Sequence, residues 1–154
     1  MTTQPTPVPE DLEQFSPNIK RYWLYDHRVV VHVMQSFSRK TIDEWAVAAK
    51  DSIANRDRSQ PYIVIHDLHG MSLTPYARQV AKDVAAFGHD LYGHTIAVVY
   101  DNMWNNIIAL FLRVIDHEQR DQKHTVCTRL DEAFEMAYQT ILDFEVESLV
   151  VHTR

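Results

Sequence analysis

The sequence is poor in cysteine and in basic residues, and both shortages limit what the protein can be. Cys127 is the only cysteine among 154 residues, so the chain forms no intrachain disulfide and no zinc site made of several cysteines. This usage is typical of a reducing, cytoplasmic compartment. There are 15 Lys and Arg against 21 Asp and Glu, and the net charge of −6 argues against nucleic acid as a partner.

Glycine and long apolar runs are scarce as well. With three glycines in all, the chain has no glycine-rich loop of the kind that binds mononucleotides. No apolar run reaches the length of about 18 residues that a membrane span needs, so we predict no membrane span. The first residues are rich in proline and lack the blocks of a signal peptide. We expect a flexible leader over residues 1–20, an α/β domain over 21–143, and a C-terminal tail or edge strand over 144–154.

What the sequence does contain is a regular alternation of strand and helix patterns. The predicted order is β-β-α-β-α-β-α-β-α, an α/β fold with a mostly parallel mixed sheet of about five strands and four helices. In one strand, Val29, Val31 and Val33 are predicted to face one side and His32 the other. Helix starts are predicted from Thr74 before Pro75, from Asp101, and from Thr41 with Glu44 as a capping box.

Three stretches carry a resemblance to a known family. They are "RVVVHVMQSFSRKTIDEWAVAAKDSI", "YIVIHDLHGMSLTPYAR" and "CTRLDEAFEMA". Asp67, Leu68, Gly70 and Met71 match a central Asp-Leu-x-Gly-hydrophobic turn, and residues 131–134 match a late helix. In this order the stretches resemble the STAS domain, the anti-sigma-factor-antagonist fold of bacterial regulators, over roughly residues 22–142. The resemblance implies a STAS-like fold and a non-enzymatic regulatory, protein-interaction function without a cofactor.

One part of the family pattern is absent. STAS regulators carry a phosphorylated serine or threonine at the start of the second helix, and that position falls on residues 75–78 here. "PYAR" lacks the acidic residue, the hydroxyl and the glycine of the motif. Ser72 and Thr74 lie nearby but do not occupy the matching position. We therefore expect a STAS-like domain of a divergent branch, without the usual phosphorylation switch.

The loop after the central strand is the first candidate site. It ends the apolar run at His66 and leads through polar residues into a helix. We predict a ligand or partner loop consisting of Asp67, His69, Gly70, Ser72, Thr74 and Arg78. An alternative is a metal-dependent enzyme using His66, Asp67 and His69, although their spacing matches no standard metal motif. His32 among valines and Cys127 at a strand end are interpreted as core residues.

The third predicted helix is the second candidate site, because it is apolar on more than one face. A helix that covers a sheet needs only one apolar stripe. We predict an interface for a protein partner or for a second copy in a homodimer, formed by Trp104, Ile107, Leu110, Phe111 and Val114. A second alternative is a carrier function, in which a small apolar, lipid-like ligand lies between helices and sheet.

Overall fold

A computed structural model describes residues 6–152, and of His152 only the backbone. These residues form six strands and four helices in alternating order. Their bounds are β1 Glu10–Ser16, β2 Ile19–Leu24, β3 Val29–Met34, α1 Arg39–Ala54, β4 Tyr62–Leu68, α2 Pro75–Phe87, β5 Tyr92–Val99, α3 Asn102–Glu118, β6 Asp121–Cys127 and α4 Leu130–His152.

The strands form one mixed sheet in which spatial order equals chain order, β1-β2-β3-β4-β5-β6. β1, β2 and β3 pair antiparallel, and β3 to β6 pair parallel. The predicted α/β class and the alternating order are therefore confirmed. The predicted number of about five strands is wrong, because β1 adds a sixth.

The four helices are divided unequally between the two faces of the sheet. α1, α2 and α3 each connect two parallel neighbours, and right-handed crossovers place all three on the same face. There Ile42, Ala77 and Ile108 pack with side chains of the sheet in one core cluster. α4 covers the opposite face through Ala133 and Ala137. The sheet is thus buried on both sides, as its valine-rich strands predict.

The predicted leader contains ordered structure, because β1 and the start of β2 fall within residues 1–20. Residues 1–5 lie outside the described part of the chain. β1 is attached by side chains that the proline-rich composition does not reveal. Glu13 forms a 2.6 Å ion pair with Arg21 of β2, and the Glu10 carboxylate accepts hydrogen bonds from the backbone of Asp26 and His27.

The predicted C-terminal tail or edge strand is wrong over residues 144–152, which continue helix α4. Residues 153 and 154 lie outside the described part of the chain. Two pairs of apolar residues spaced two apart, Phe144 with Val146 and Leu149 with Val151, favour a strand in the sequence, and Val146, Leu149 and Val151 are exposed on this helix. A period of two in a segment this short does not distinguish a strand from the end of a helix.

Two of the three predicted helix caps are confirmed. The Thr74 hydroxyl accepts the backbone N–H of Ala77, and Asp101 caps α3. α1 differs from the prediction, because its cap is Ser38 rather than Thr41. The Glu44 carboxylate binds Asn18 of the β1–β2 turn instead of completing a capping box.

Candidate functional site

The loop that follows β4 is organised around a buried carboxylate. Asp67 lies on the α4 face of the sheet, where Tyr100 donates a 2.7 Å hydrogen bond to its Oδ1. His69 Nε2 lies 3.2 Å from the same oxygen, and the His69 ring stacks on Tyr100 with 4.9 Å between ring centroids. Gly70 follows with φ +63°, a conformation that favours glycine. Asp67, His69 and Gly70 therefore lie together at the end of β4.

Tyr100 is a member of this cluster that sequence reasoning missed. It directly follows β5, and β5 lies beside β4 in parallel register, so the two strand ends are neighbours. Burial, together with the hydrogen bond to Asp67, raises the pKa of Tyr100. Burial and then the negative charge of Asp67 raise the pKa of Tyr22 to about 12. Both hydroxyl groups stay protonated, and Tyr100 remains a hydrogen-bond donor to the carboxylate.

Ser72, Thr74 and Arg78 do not extend this cluster. The carbonyl of Ser72 accepts the backbone N–H of Thr74, and the Thr74 hydroxyl caps α2. Arg78 is exposed on the first turn of that helix. Among residues 6–152, no side-chain hydrogen bond connects these three residues to Asp67 or His69. Thr74 has a structural role at the start of the second helix.

His66 lies on the opposite face of the sheet from Asp67, because successive residues of a strand point to opposite sides. The proposed trio of His66, Asp67 and His69 therefore cannot converge on one ion. In the described part of the chain, no group of three or more His, Cys, Asp or Glu side chains is placed to hold a metal.

His66 faces an apolar cavity of about 130 Å³ between the sheet and helices α1 to α3. Each of these helices contributes four side chains to the wall. Phe111, Met71 and Leu73 belong to the wall and are only partly buried, so this part of the wall reaches the surface. The interface helix predicted from the sequence therefore contributes Phe111 to the cavity wall, at the point where that wall reaches the surface.

The cavity exists because the inner face of α2 is made of small side chains. Ala77, Ala81 and Ala85 recur every four residues, which places them one above the other on the helix surface, and all three line the cavity. α1 and α3 contribute bulkier residues to the wall, such as Trp45 and Ile115. The small side chains of α2 therefore leave space in this layer.

The polar groups of the cavity wall form hydrogen bonds with neighbouring residues, except for one ring nitrogen of His66. Thr95 Oγ1 accepts a 2.9 Å bond from Gln122, and His124 lies 2.7 Å from Asp116 and 2.8 Å from Gln119. His66 Nδ1 accepts a 3.2 Å bond from the indole N–H of Trp45 and lies 3.4 Å from His32 Nδ1. Within residues 6–152, His66 Nε2 forms no hydrogen bond.

Burial keeps the histidines beneath the cavity uncharged. It lowers the pKa of His66 to about 4, with the charge of His124 acting in the same direction. It lowers the pKa of His32 well below the ordinary value, and His66 and Arg21 add to the effect. His32 is fully buried and bonds to Ser52 at 2.9 Å, so its predicted role as a core residue is confirmed.

The outer side of α3 carries an apolar stripe formed by Met103, Ile107, Leu110 and Val114, which are 37–62% exposed. The opposite flank faces β6, since Asn105 donates to the carbonyl of Cys127. Three of the five predicted interface residues belong to this α3 stripe. The remaining two, Trp104 and Phe111, face inward.

Comparisons with protein-family models, with curated proteins and with solved structures find no match to this chain. The fold and the site geometry are therefore the basis for assigning a function. No helix within residues 6–152 is both long enough and apolar enough to cross a membrane.

Proposed function

We propose that the protein is a non-enzymatic binding domain that holds a small apolar molecule in the cavity between the sheet and helices α1 to α3. The observation that carries the proposal is the cavity itself, about 130 Å³ in volume and almost entirely apolar. An engineered cavity of about 150 Å³ lined by similar side chains stays dry and binds benzene. A molecule of about that size is therefore the expected ligand.

The arrangement of polar groups fits binding better than catalysis. The buried carboxylate of Asp67 lies on the other face of the sheet and bonds to Tyr100 and His69. In the cavity wall, His66 is the titratable residue with a ring nitrogen, Nε2, that forms no hydrogen bond within residues 6–152. Burial lowers the pKa of His66 to about 4. A cytoplasmic regulator of the STAS type stays a prediction, and a cavity that senses a ligand is compatible with it.

Toluene is expected to stabilise the wild-type protein. At about ten times its dissociation constant, mass action adds about 1.4 kcal/mol, which raises the melting temperature by roughly 3 to 6 °C for a chain of this size. The substitution Ala81→Leu fills the cavity from α2 and should abolish this shift. Differential scanning calorimetry with and without toluene measures it.

Ala86→Leu is the matched control, because Ala86 lies on the exposed side of the same helix. It should retain the full toluene shift. A wild-type melting temperature that toluene leaves unchanged, or an equal shift in the Ala81→Leu variant, would contradict the proposal.

A second candidate function, self-association, is supported by the exposed α3 stripe. The solvent-facing side of a helix is normally polar, so a stripe of four large apolar side chains indicates a contact surface. A second copy of the chain presents the same stripe, so a symmetric contact buries both at once. This is the homodimer that the apolar third helix predicts.

Leu110→Glu is expected to shift a dimer of the wild type to a monomer, because it places a charge in the centre of the stripe. Light scattering after size-exclusion chromatography gives the mass of each. Val47→Glu is the control, since Val47 is a single exposed apolar residue on α1. A wild type that is monomeric at high concentration would remove this candidate and leave the cavity proposal intact.

A further inference from the structure

A chain of polar contacts leads from the surface to the floor of the cavity, and Trp45 fixes the tautomer of the histidine at its inner end. Arg21 is buried and pairs with Glu13 at 2.6 Å and with Asp51 at 2.7 Å. Its Nη1 also lies 3.1 Å from Ser52 Oγ. A guanidinium only donates, so the Ser52 oxygen accepts and the Ser52 hydrogen points elsewhere. His32 Nε2 lies 2.9 Å from the same oxygen.

The tautomer of His66 follows from its contact with Trp45. The indole of Trp45 only donates, and it points at His66 Nδ1, so that nitrogen accepts. The Nδ1 atom of His32 lies 3.4 Å from the same nitrogen. Because burial lowers the pKa of each ring, each histidine carries one proton near neutral pH. The proton of His66 therefore lies on Nε2, the nitrogen without a protein partner.

We infer that the cavity selects small, uncharged molecules that are mostly apolar and carry one hydrogen-bond acceptor, such as a carbonyl oxygen, to which the Nε2–H group of His66 donates. This inference rests on the proposed binding function and specifies its ligand class. A ligand without an acceptor would cover Nε2 and leave this donor unpaired, at a cost of about 1–3 kcal/mol, so a ligand with an acceptor should bind about tenfold tighter than the same shape without one.

The surroundings of His66 argue against a charged ligand. An anion needs a cation at the site, but Arg21 is separated from the cavity by Ser52 and His32 and is neutralised by two carboxylates. A cation needs acceptors, whereas the free group of His66 is a donor. Burying an unpaired charge is strongly unfavourable, so neutral molecules remain.

Cyclohexanone and methylenecyclohexane form a suitable pair of probes, because they share a shape and differ in one acceptor oxygen. Ligand-observed NMR titrations of the wild type should give about tenfold tighter binding of the ketone. In the His66→Phe variant, which keeps a ring but lacks the donor, the ratio should fall to about one. The His89→Phe variant, altered at an exposed position between α2 and β5, should keep the wild-type ratio.

The possible outcomes separate this inference from the binding proposal. If the wild type binds both probes equally, the acceptor preference is wrong and the binding function stands. If neither probe binds, the binding function itself fails. A preference for the ketone that persists in the His66→Phe variant would exclude His66 as the donor.

The His66→Phe substitution also removes the ring nitrogen that accepts from Trp45 and contacts His32. A spectroscopic test on the wild-type protein avoids this side effect. In the wild-type protein labelled with ¹⁵N-histidine, cyclohexanone should shift the Nε2 resonance of His66 and methylenecyclohexane should not. Equal shifts from both probes, or a His66 tautomer with the proton on Nδ1, would overturn the inference.

Discussion

Lowering the pH from about 7 to about 5 is expected to reduce the free energy of unfolding by at least about 4 kcal/mol, or about 2 kcal/mol each for His66 and His94. Burial lowers the pKa of both to about 4 from an ordinary value of 6.5, and it also lowers the pKa of His32 and of His124. The unfolded chain binds protons at these positions below pH 6.5, whereas the folded chain does not. Stability therefore rises with pH and is lost as the pH falls from 6.5 towards 4.

Since small domains have about 5–15 kcal/mol in total, this loss removes a large part of the stability. Carboxyl groups whose pKa is lowered, such as Asp57 and Asp90, titrate at lower pH, so the range from 6.5 to 5 isolates the histidines. Urea denaturation at each pH measures the effect. In the His94→Gln variant the dependence on pH should be weaker, because one contributing histidine is removed. A free energy of unfolding that stays constant over this range would contradict the expectation.

Replacing Gly93 by alanine is expected to cost about 4 kcal/mol of stability, the second large effect. Gly93 has φ +146°, which side-chain-bearing residues rarely adopt. An added Cβ would collide with the carbonyl of Tyr62 and lie 2.7 Å from its nitrogen. The absence of a side chain also lets Gln122 of β6 reach across β5 and donate a 3.0 Å hydrogen bond to the same carbonyl.

Gly70→Ala is the matched comparison, because Gly70 also has a positive φ but has space around it. A Cβ there would lie 3.5 Å from the Gln35 oxygen, an ordinary contact. Only the left-handed backbone cost of about 1–2 kcal/mol applies. Chemical denaturation of both variants should therefore separate them by about 2 kcal/mol or more. Equal losses at the two positions would show that the contact with Tyr62 is relieved by backbone movement.

The features that the sequence predicts correctly are those that depend on neighbouring residues. Thr74 before Pro75 identifies the start of α2, and alternating valines assign Val29 and Val31 to one face of the sheet. β1 was missed because its few apolar residues give no alternating pattern, although β2, its pairing partner, follows it directly in the chain. The end of α4 was missed because apolar alternation over a few residues fits both helix and strand.

For the candidate site, too, the sequence predicts features that depend on neighbouring residues and misses those that depend on distant ones. The apolar excess of α3 and the strand–helix loop are visible in the sequence, yet the cavity depends on three helices packing over one sheet. The pairing of His32 with His66 requires the register between β3 and β4, which places these two residues side by side. No spacing rule connects residues 34 positions apart. The row of alanines on α2 is the feature of the sequence that relates to the cavity. Its meaning can be recognised only when the sheet and the helices that pack beside α2 are known.

The order of the strands has a consequence for how the chain folds. Each strand pairs only with strands adjacent in the sequence, and each parallel pair needs only the helix between them. The loops that must close are therefore short, and the entropy lost before the first contacts form is small. The growing chain can add one strand–helix unit at a time during synthesis. The cavity is complete only when β6 and α3 have docked, so ligand binding should accelerate none of the earlier steps.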